Sequence, residues 1–181
     1  MNNKQNFFVK KNFLIYGFGK SGYACFHFLR KKNNVKILDD NNKNIPTKYI
    51  NFKINIKSLN KHEFNYIFVS PGIDIKKCKI ANYLLKNKKK IISELDIFYL
   101  TFPQIRKITI TGTNGKSTTS KLLFDIIKAH NRDVRLTGNI GNPLLSEKNI
   151  RNKTLFIIEA SSYQLEYSKF YRSEYSLILN L

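Results

Sequence analysis

The sequence predicts an α/β fold in two domains, and three observations carry that prediction. Short apolar runs recur along the chain, and most of them are apolar throughout rather than alternating. Such runs are typical of strands in a parallel sheet that is covered on both faces. One intervening stretch, Lys116–His130, has apolar residues at helical spacing. Glycine-rich turns directly follow two of the runs, as expected of βαβ units.

Eight apolar runs are predicted to be the strands, and their lengths match those of ordinary strands. In chain order they are Phe13–Tyr16, Val35–Leu38, Tyr66–Val69, Lys90–Ile92, Lys107–Thr111, Val134–Leu136, Leu155–Ile158 and Tyr175–Leu179. The amphipathic stretch Lys116–His130 is predicted to be the helix that connects the fifth strand to the sixth.

A domain boundary is predicted near residue 95. The charged run Lys86–Lys90 is typical of a solvated surface, and the strand that follows it closes the first sheet. Thr101–Pro103 is predicted to be a linker before the second set of strands. The predicted domains are therefore residues 1–95 and 96–181. The Asn- and Lys-rich residues 41–61 are predicted to be polar loops.

The 181 residues carry a formal net charge of +20, with 32 Lys+Arg against 12 Asp+Glu, which favours a polyanionic partner. However, 26 of these residues are Lys and only 6 are Arg, whereas nucleic-acid recognition exploits the flat guanidinium of Arg. Lys, Asn and Ile, whose codons are AT-rich, together make up 71 residues. Mutational bias therefore explains the charge better, and no nucleic-acid partner is expected.

Nothing in the sequence predicts a metal cluster, a disulfide or a membrane segment. The cysteines Cys25 and Cys78 are far apart, and the three histidines are scattered without the spacing of metal ligands. No apolar run approaches 18 residues, and the N-terminus lacks the long apolar region of a signal peptide. We expect a cytoplasmic monomer with buried, unpaired thiols.

The first chemistry-bearing motif is G-x-G-x-x-G at Gly17–Gly22, directly after a predicted strand. Glycines let the backbone turn tightly and approach a phosphate at the N-terminus of the next helix. Asp39 and Asp40 end the next strand, where such Rossmann-like folds place an acid that binds the ribose. The motif predicts binding of a nucleotide or nucleotide sugar. The alternative is a tight turn with solvated aspartates.

The second motif is T-G-T-N-G-K-S-T at Thr111–Thr118, between a predicted strand and the amphipathic helix. Its backbone N–H groups can cradle phosphate oxygens, Lys116 can reach the terminal phosphates, and the Ser117 hydroxyl can bind Mg²⁺. The standard P-loop would need glycine at position 110, where Ile110 stands. The motif is therefore P-loop-like, and a nonfunctional turn is the alternative.

Glu159 ends an apolar strand, where a carboxylate costs free energy unless it is paired or bound to a metal. It is a candidate Mg²⁺ ligand, and the alternative is an acid at a helix N-terminus beside capping serines. Two further turns, Ser70–Gly72 and Gly138–Pro143, also follow predicted strands. Either is compatible with ordinary turn chemistry. Open α/β sheets bind ligands beyond the carboxyl ends of their strands, which favours a function for these sites.

Together the motifs resemble the Mur ligase family. The T-G-T-N-G-K-S-T loop is similar to the ATP-binding loop of Mur ligases and folylpolyglutamate synthases. The glycine-rich first domain, S-P-G-I, G-N-I-G-N-P and E-A-S-S-Y-Q-L-E resemble the members that add D-glutamate to UDP-N-acetylmuramoyl-L-alanine. The resemblance runs from Phe13 to Leu181. It implies a Rossmann-like UDP-binding domain followed by the first part of a P-loop-like central domain.

The resemblance also implies an activity, its cofactors and the residues that serve it. The family's ligases use ATP and Mg²⁺ to activate a carboxylate as an acyl phosphate in peptidoglycan synthesis. The UDP-muramoyl substrate would be held by Gly17, Gly19, Lys20, Ser21, Gly22, Asp39, Ser70, Gly72, Asn139, Ser161 and Gln164. ATP would be bound by Gly112, Thr113, Asn114, Gly115, Lys116, Ser117 and Thr118, with Ser117 and Glu159 on the metal and Lys116 and Glu159 as the catalytic residues. Asp40 and Asn41 depart from the residues that members often have.

Family members continue beyond the strand that matches Ser176–Leu181, with a histidine, a carbamylated lysine and a third domain. The resemblance therefore implies that this chain is an incomplete N-terminal part, without ligase activity alone. The alternatives are a ligase acting on another UDP-muramoyl peptide or on folate, a basic nucleic-acid-binding protein, and a decaying gene product that retains a nucleotide-binding shell. A folate enzyme would not need the first glycine-rich domain.

Overall fold

A computed structural model describes residues 7–180. The described residues form two compact units, a first unit of residues 7–94 and a second unit of residues 95–180. Each unit contains one four-stranded sheet in which all paired strands run parallel. The predicted α/β class is therefore confirmed. Leu181, the last residue of the segment Ser176–Leu181 that resembles a strand of the family, lies outside the described residues.

The sheet of the first unit has the strand order β2-β1-β3-β4. Its strands are β1 (Asn12–Tyr16), β2 (Asn34–Leu38), β3 (Tyr66–Val69) and β4 (Ile91–Ile92), and its helices are α1 (Lys20–Leu29) and α2 (Ala81–Lys86). The central strand β1 has four residues in succession that are fully buried, Phe13 to Tyr16. Burial of successive residues places apolar side chains on both faces, which explains the continuous apolar run in the sequence.

The sheet of the second unit has the order β6-β7-β5-β8. Its strands are β5 (Arg106–Thr111), β6 (Val134–Gly138), β7 (Leu155–Glu159) and β8 (Tyr175–Ile178), with the helices α4 (Lys116–Ala129) and α5 (Ser162–Glu166). Helix α3 (Glu94–Thr101) begins at the last residue of the first unit. In the part of the chain that the structure describes, no helix combines the length and apolar character needed to cross a bilayer.

All eight predicted strands form, β3 with the predicted ends and the other seven with one end shifted by one or two residues. Strand β6 is the largest change, since it continues to Gly138 by pairing Thr137 and Gly138 with Ile158 and Glu159 of β7. Thr101, predicted as part of a linker, is instead the last residue of α3, and its hydroxyl donates to the Ile97 carbonyl at 2.7 Å. Pairing with β7 thus extends β6, and a hydrogen bond within α3 extends that helix to Thr101.

The prediction of polar loops for residues 41–61 is wrong in part. This segment forms three short 3-10 helices, Asn42–Asn44, Thr47–Phe52 and Ile56–Lys61. It buries an apolar residue at intervals of about five positions, namely Ile45, Tyr49, Ile54 and Leu59. The Ile54 amide also donates to the Ile37 carbonyl at 2.9 Å, which extends the hydrogen bonding of β2. The few apolar residues, rather than the many polar ones, therefore determine how this segment packs.

Both cysteines are free, and Cys25 is buried as predicted, whereas the prediction of a buried thiol is wrong for Cys78, which is only partly buried. Cys25 is fully buried in α1, and burial, with a smaller contribution from Glu94, raises the pKa of its thiol well above the ordinary value. A thiol held protonated in an apolar environment is a poor nucleophile, because the thiolate is the reactive form. Cys25 therefore acts as an apolar filler.

Lys107 is a buried charge that the sequence does not reveal, because it lies within an apolar strand. It is only 2% exposed. Its ammonium lies against the carbonyl oxygens of Phe102, Pro103 and Ile105, and 5.4 Å from the centre of the Tyr99 ring. Burial lowers the pKa of Lys107, and the nearby Glu174 carboxylate opposes that effect in part.

This lowered pKa predicts a pH dependence of stability. Between the folded-state pKa of Lys107 and its unfolded value near 10.4, the unfolded chain binds more protons, so the free energy of unfolding increases with pH. We expect the wild type to gain stability relative to Lys107→Met as pH rises from about 8 to about 10. Urea unfolding followed by circular dichroism measures the difference. Lys121→Met, at an exposed position of α4, is the control, and a difference for Lys107→Met that stays constant with pH would contradict the prediction.

Candidate functional site

The glycine turn of the first unit connects β1 to α1 at the carboxyl edge of the sheet. A Cβ atom on Gly22 would overlap the carbonyl oxygen of Gly17, so the close approach of the turn to the helix requires glycine there. Gly19 precedes the first residue of α1, Lys20, and apart from its two chain neighbours no described residue has an atom within 4 Å of where its Cβ would be. The backbone at Gly19 is thus open to a ligand at the helix N-terminus, where N–H groups favour an anion.

Asp39 braces this turn from the end of the neighbouring strand β2. Its Oδ2 accepts a hydrogen bond from the Phe18 amide at 2.6 Å, and its Oδ1 accepts from the Asn41 amide at 2.8 Å and the Asn44 side chain at 3.0 Å. A carboxylate has about four acceptor positions, and the protein uses three of them. The structure therefore gives Asp39 an organising role in the turn, and its contact with a ribose stays a prediction.

Ser70 supports the turn from the other side, at the end of β3. Its hydroxyl donates to the Gly17 carbonyl at 2.8 Å, and its amide donates to the Tyr16 carbonyl at 2.9 Å. Gly72 follows in a turn closed by a hydrogen bond from the Ile73 amide to the Ser70 carbonyl, and the space beside it is open. The first unit thus brings the glycine turn, Asp39 and Ser70 together, as predicted from strand ends.

Tyr16 is a buried partner of Asp40 that the sequence analysis missed. Its hydroxyl donates to Asp40 Oδ1 at 2.7 Å. Burial, followed by hydrogen bonds to Asp40 and Cys78, raises the pKa of Tyr16 far above its ordinary value. Lys79 Nζ donates to the Asp40 backbone carbonyl at 3.0 Å. Asp40 is exposed, and these two hydrogen bonds hold it in place. Tyr16 ends an apolar strand, and nothing in the sequence distinguishes it from the other buried residues of that strand.

An aromatic cluster, Phe18, Tyr23, Phe26, His27 and Tyr49, packs beside the glycine turn and was also not predicted. His27 Nε2 lies 2.9 Å from the Tyr49 hydroxyl, which lies 3.3 Å from the Tyr23 hydroxyl. Burial, followed by the nearby cations, lowers the pKa of His27, which favours the neutral ring. Spacing of His and Tyr in sequence gives no sign of this cluster, because Tyr49 comes from the segment predicted to be loop.

A groove of about 360 Å³ lies elsewhere on the first unit, between the 3-10 helix Ile56–Lys61 and α2. Cys78, Lys79 and Tyr83 contribute to its wall. None of the residues predicted to bind a ligand lines it. The groove therefore does not mark the predicted site, which lies on an open sheet edge.

The second unit carries the T-G-T-N-G-K-S-T loop between β5 and α4, in the predicted setting. Strand β5 ends at Thr111, and α4 begins at Lys116 after Gly115, which has a positive φ of 80°. Ser117 and Thr118 are exposed in the first turn of this 14-residue helix. The helix dipole and the free N–H groups of the first turn favour a phosphate here.

Lys116 folds over the loop that precedes it. Its ammonium donates to the carbonyl oxygens of Gly112 and Thr113, the latter at 2.9 Å. The cationic group therefore lies at the loop itself, where it can be transferred to phosphate oxygens by rotation of the side chain. Such a transfer exchanges neutral acceptors for charged ones, which form stronger hydrogen bonds.

Glu159 ends β7 beside this loop, because it pairs in register with Ile110 of the neighbouring strand β5. Its side chain is 3% exposed, and among the described residues no group donates a hydrogen bond to Oε2. A buried carboxylate oxygen without a partner costs free energy, and a bound cation would compensate it. Oxygen donors are the ligands that Mg²⁺ prefers, so Glu159 and the Ser117 hydroxyl fit this metal.

Residues 7–180 contain no group of three or more His, Cys, Asp and Glu side chains suited to a metal. The predicted magnesium ligands of this chain are two, Ser117 and Glu159. This matches the way Mg²⁺ is commonly bound, by one or two protein groups together with substrate phosphates and water.

The remaining predicted substrate residues lie near the ends of β6 and β7. Asn139 is exposed, and its backbone N–H donates to the Glu159 backbone carbonyl at 3.0 Å. Ser161 and Gln164 form a capping box at the start of α5, in which Ser161 accepts from the Gln164 amide and Gln164 Oε1 accepts from the Ser161 amide. Gln164 is buried, so the structure gives this pair a capping role, and contact with a substrate stays a prediction.

Two domain models of one family match this chain. Residues 11–93 match the Mur ligase MurD-like N-terminal domain, and residues 110–181 match the Mur ligase middle domain. The chain is 31% identical to the UDP-N-acetylmuramoylalanine–D-glutamate ligase of Rickettsia bellii over 176 residues, covering 95% of this chain and 38% of that protein. It is 33% identical to the ligase of the same name from Mannheimia succiniciproducens over 177 residues, covering 94% of this chain and 40% of that protein.

The chain thus spans about two fifths of the length of these curated relatives. A solved structure, the UDP-N-acetylmuramate:L-alanyl-gamma-D-glutamyl-meso-diaminopimelate ligase from Neisseria meningitides, shares the fold. The TM-score is 0.55 at 16% identity, and the match covers 96% of this chain and 61% of that one. With both sheets, both loops and both domain models in agreement, the chain belongs to the Mur ligase family and carries sequence of its N-terminal and middle domains.

Proposed function

We propose that this chain supplies the UDP-substrate-binding and ATP-binding parts of a ligase that joins D-glutamate to UDP-N-acetylmuramoyl-L-alanine in peptidoglycan synthesis. One observation carries the proposal. The T-G-T-N-G-K-S-T loop opens α4 beside Glu159, a buried carboxylate with one oxygen that lacks a donor among the described residues. A phosphate-binding loop and a ready metal ligand together are the requirements for using ATP.

The proposed reaction explains why ATP is needed. A carboxylate is a poor electrophile, because its negative charge repels a nucleophile and oxide is a poor leaving group. Transfer of the terminal phosphoryl group of ATP to the substrate carboxylate forms an acyl phosphate and releases ADP. The amine of D-glutamate then attacks the acyl carbon, phosphate leaves with the C–O bond electrons, and the amine loses a proton.

In this proposal the residues of the second unit bind and orient the nucleotide. The Gly112–Thr118 loop is proposed to hold the phosphates through its amides from Gly115 onwards. The Lys116 ammonium moves from the loop carbonyls to the terminal phosphates as the main protein cation. The Ser117 hydroxyl and Glu159 would hold Mg²⁺, which neutralises phosphate charge when it is bound. Asn139, Ser161 and Gln164 are proposed to lie towards the muramoyl substrate.

The first unit is proposed to bind the uridine nucleotide. The open backbone at Gly19 and the N-terminus of α1 suit the diphosphate, and Lys20 and Ser21 begin that helix. Asp39, Ser70 and Gly72 are proposed to complete the site around the turn that they border. The D-glutamate site has no assigned residue in this chain. We further propose a cytoplasmic monomer without a nucleic-acid or membrane partner.

The proposed role of Lys116 predicts a specific loss of ATP affinity. Lys116→Ala removes a charged donor to the phosphates, and hydrogen bonds to charged groups contribute about 1.5–3 kcal/mol. We expect the dissociation constant for ATP to rise at least about tenfold, measured by isothermal titration calorimetry. Lys121→Ala removes an exposed ion pair with Asp125 and a cation–π contact with Phe124 on the same helix, and it should leave the dissociation constant unchanged. Equal effects of the two substitutions would contradict the assignment.

Glu159→Gln should separate metal binding from folding. Neutralising a buried carboxylate that has an unpaired oxygen removes a desolvation cost, so we expect an unchanged or higher melting temperature. We expect the gain in ATP affinity on adding Mg²⁺ to shrink strongly, while affinity without Mg²⁺ is retained. Calorimetric titrations with and without the metal measure both quantities. The exposed Glu166→Gln is the control, and an intact Mg²⁺ effect in Glu159→Gln would refute its role as a ligand.

The chain alone is expected to bind its nucleotides without completing the ligase reaction. We expect saturable binding of ATP and of UDP-N-acetylmuramoyl-L-alanine, but no phosphate release that depends on both this substrate and D-glutamate. A coupled phosphate-release assay measures turnover, and competition among UDP-muramoyl substrates tests which ligase the chain resembles in specificity. Phosphate release that requires both substrates would overturn the expected inactivity. A chain that binds neither ATP nor UDP-N-acetylmuramoyl-L-alanine would overturn the proposed function itself.

A further inference from the structure

Asn180 lies two residues beyond the end of β8. Its side chain forms hydrogen bonds with the T-G-T-N-G-K-S-T loop, Thr111–Thr118, which is called the ATP-type loop below. Its Oδ1 accepts hydrogen bonds from the amides of Thr113 at 2.8 Å and Asn114 at 2.9 Å. Its Nδ2 donates to the Asn114 carbonyl at 3.2 Å. A single side chain thus joins three backbone groups of the loop. In the sequence, Asn180 is one of 22 asparagines and carries no motif that separates it from the others.

The backbone around Asn180 also packs against the loop. The Leu179 amide donates to the Thr111 carbonyl at 3.0 Å, which continues the pairing of β8 with β5. A Cβ atom on Gly112 would lie only 3.2 Å from the Asn180 nitrogen and from the Leu179 Cβ. Gly112 also has a φ of 144°, which other residues rarely adopt. The loop therefore packs against the backbone of this segment as well as against the Asn180 side chain.

Asn180 and Lys116 divide the polar backbone groups of the loop between them. Asn180 bonds both amides of Thr113 and Asn114 and the Asn114 carbonyl, while Lys116 bonds the carbonyls of Gly112 and Thr113. All four backbone groups of residues 113 and 114 thus have a partner. These N–H groups are directed towards the end of β8, so the N–H groups from Gly115 onwards are the ones left for a phosphate.

We propose that Asn180 is a positioning residue for the nucleoside triphosphate site, a latch that holds Gly112–Asn114 so that the amides at the start of α4 face the phosphates. The proposal rests on the proposed function, because it assumes that this loop binds ATP. Asparagine suits the position because its amide accepts and donates at once without a charge. An aspartate could accept from both amides, but it could not donate to the Asn114 carbonyl and would add a negative charge near the phosphates.

Amide hydrogen exchange tests the latch without any nucleotide. In the full chain, NMR-detected exchange at the Thr113 and Asn114 amides should be at least about tenfold faster in Asn180→Ala than in wild type, since the variant lacks their acceptor. Asn180→Asp, which keeps the acceptor oxygens, should restore most of this protection. Ser176→Ala, at an exposed position of β8, should leave both amides protected. Unchanged exchange in Asn180→Ala, or no restoration in Asn180→Asp, would overturn the latch.

Nucleotide binding tests whether the latch positions the site. We expect the dissociation constant for ATP to rise about tenfold in Asn180→Ala, because the three hydrogen bonds that order the loop are lost. Binding of UDP-N-acetylmuramoyl-L-alanine, proposed for the first unit, should not change, whereas general unfolding would weaken both. Asn180→Asp should bind ATP more weakly than wild type despite its protected amides, because of the added charge.

The outcomes distinguish this proposal from the proposed function. A wild type that binds no ATP while Asn180→Ala loses its amide protection would overturn the proposed function and leave Asn180 as a latch of the loop. If Asn180→Ala binds ATP as tightly as the wild type does, the positioning role is overturned and the proposed function stands. Should Asn180→Ala fail to fold, the Asn180→Asp variant still separates amide protection from ATP affinity.

Discussion

The parallel pairing of strands is the constraint on which both sites depend. Within each sheet all strands point the same way, so their carboxyl ends, and the turns that leave them, gather at one edge. The glycine turn after β1 lies between the ends of β2 and β3 for this reason. The loop after β5 lies between the ends of β7 and β8 for the same reason. Residues far apart in the chain thereby become neighbours of a glycine-containing turn.

Both units hold that turn by the same means, a polar side chain from the end of an adjacent strand. In the first unit Asp39 accepts from the Phe18 amide, and Ser70 donates to the Gly17 carbonyl. In the second unit Asn180 accepts from two loop amides. Tight, glycine-containing turns leave backbone groups that no ladder can satisfy, and a side chain placed one strand away satisfies them. Rigidity at the turn then comes from the sheet rather than from the turn residues, which must stay open to a ligand.

The buried charged residues of the second unit differ in how completely their polar atoms are hydrogen-bonded. Asp96 is fully buried and accepts hydrogen bonds from the amides of three successive residues, Lys169 to Tyr171. Lys107 is almost fully buried and lies against carbonyl oxygens. Glu159 is equally buried, yet its Oε2 has no donor among the described residues. Buried charges with complete partners stabilise a fold, whereas an incompletely partnered one beside a phosphate loop fits a metal ligand.

By itself, the sequence determined the fold class, the eight strands, both glycine-containing turns and the position of Glu159 at a strand end, because these features follow from local patterns of apolar residues and glycine. Only the tertiary structure decided that residues 41–61 pack against the first sheet, that Asp39 braces the glycine turn, and that Lys107 is buried. It alone also decided that Asn180 holds the ATP-type loop, 66 residues away from Asn114 in the chain. The physical reason is that a hydrogen bond between distant segments depends on strand order and register, and neither leaves a periodic signal in the residues that form it.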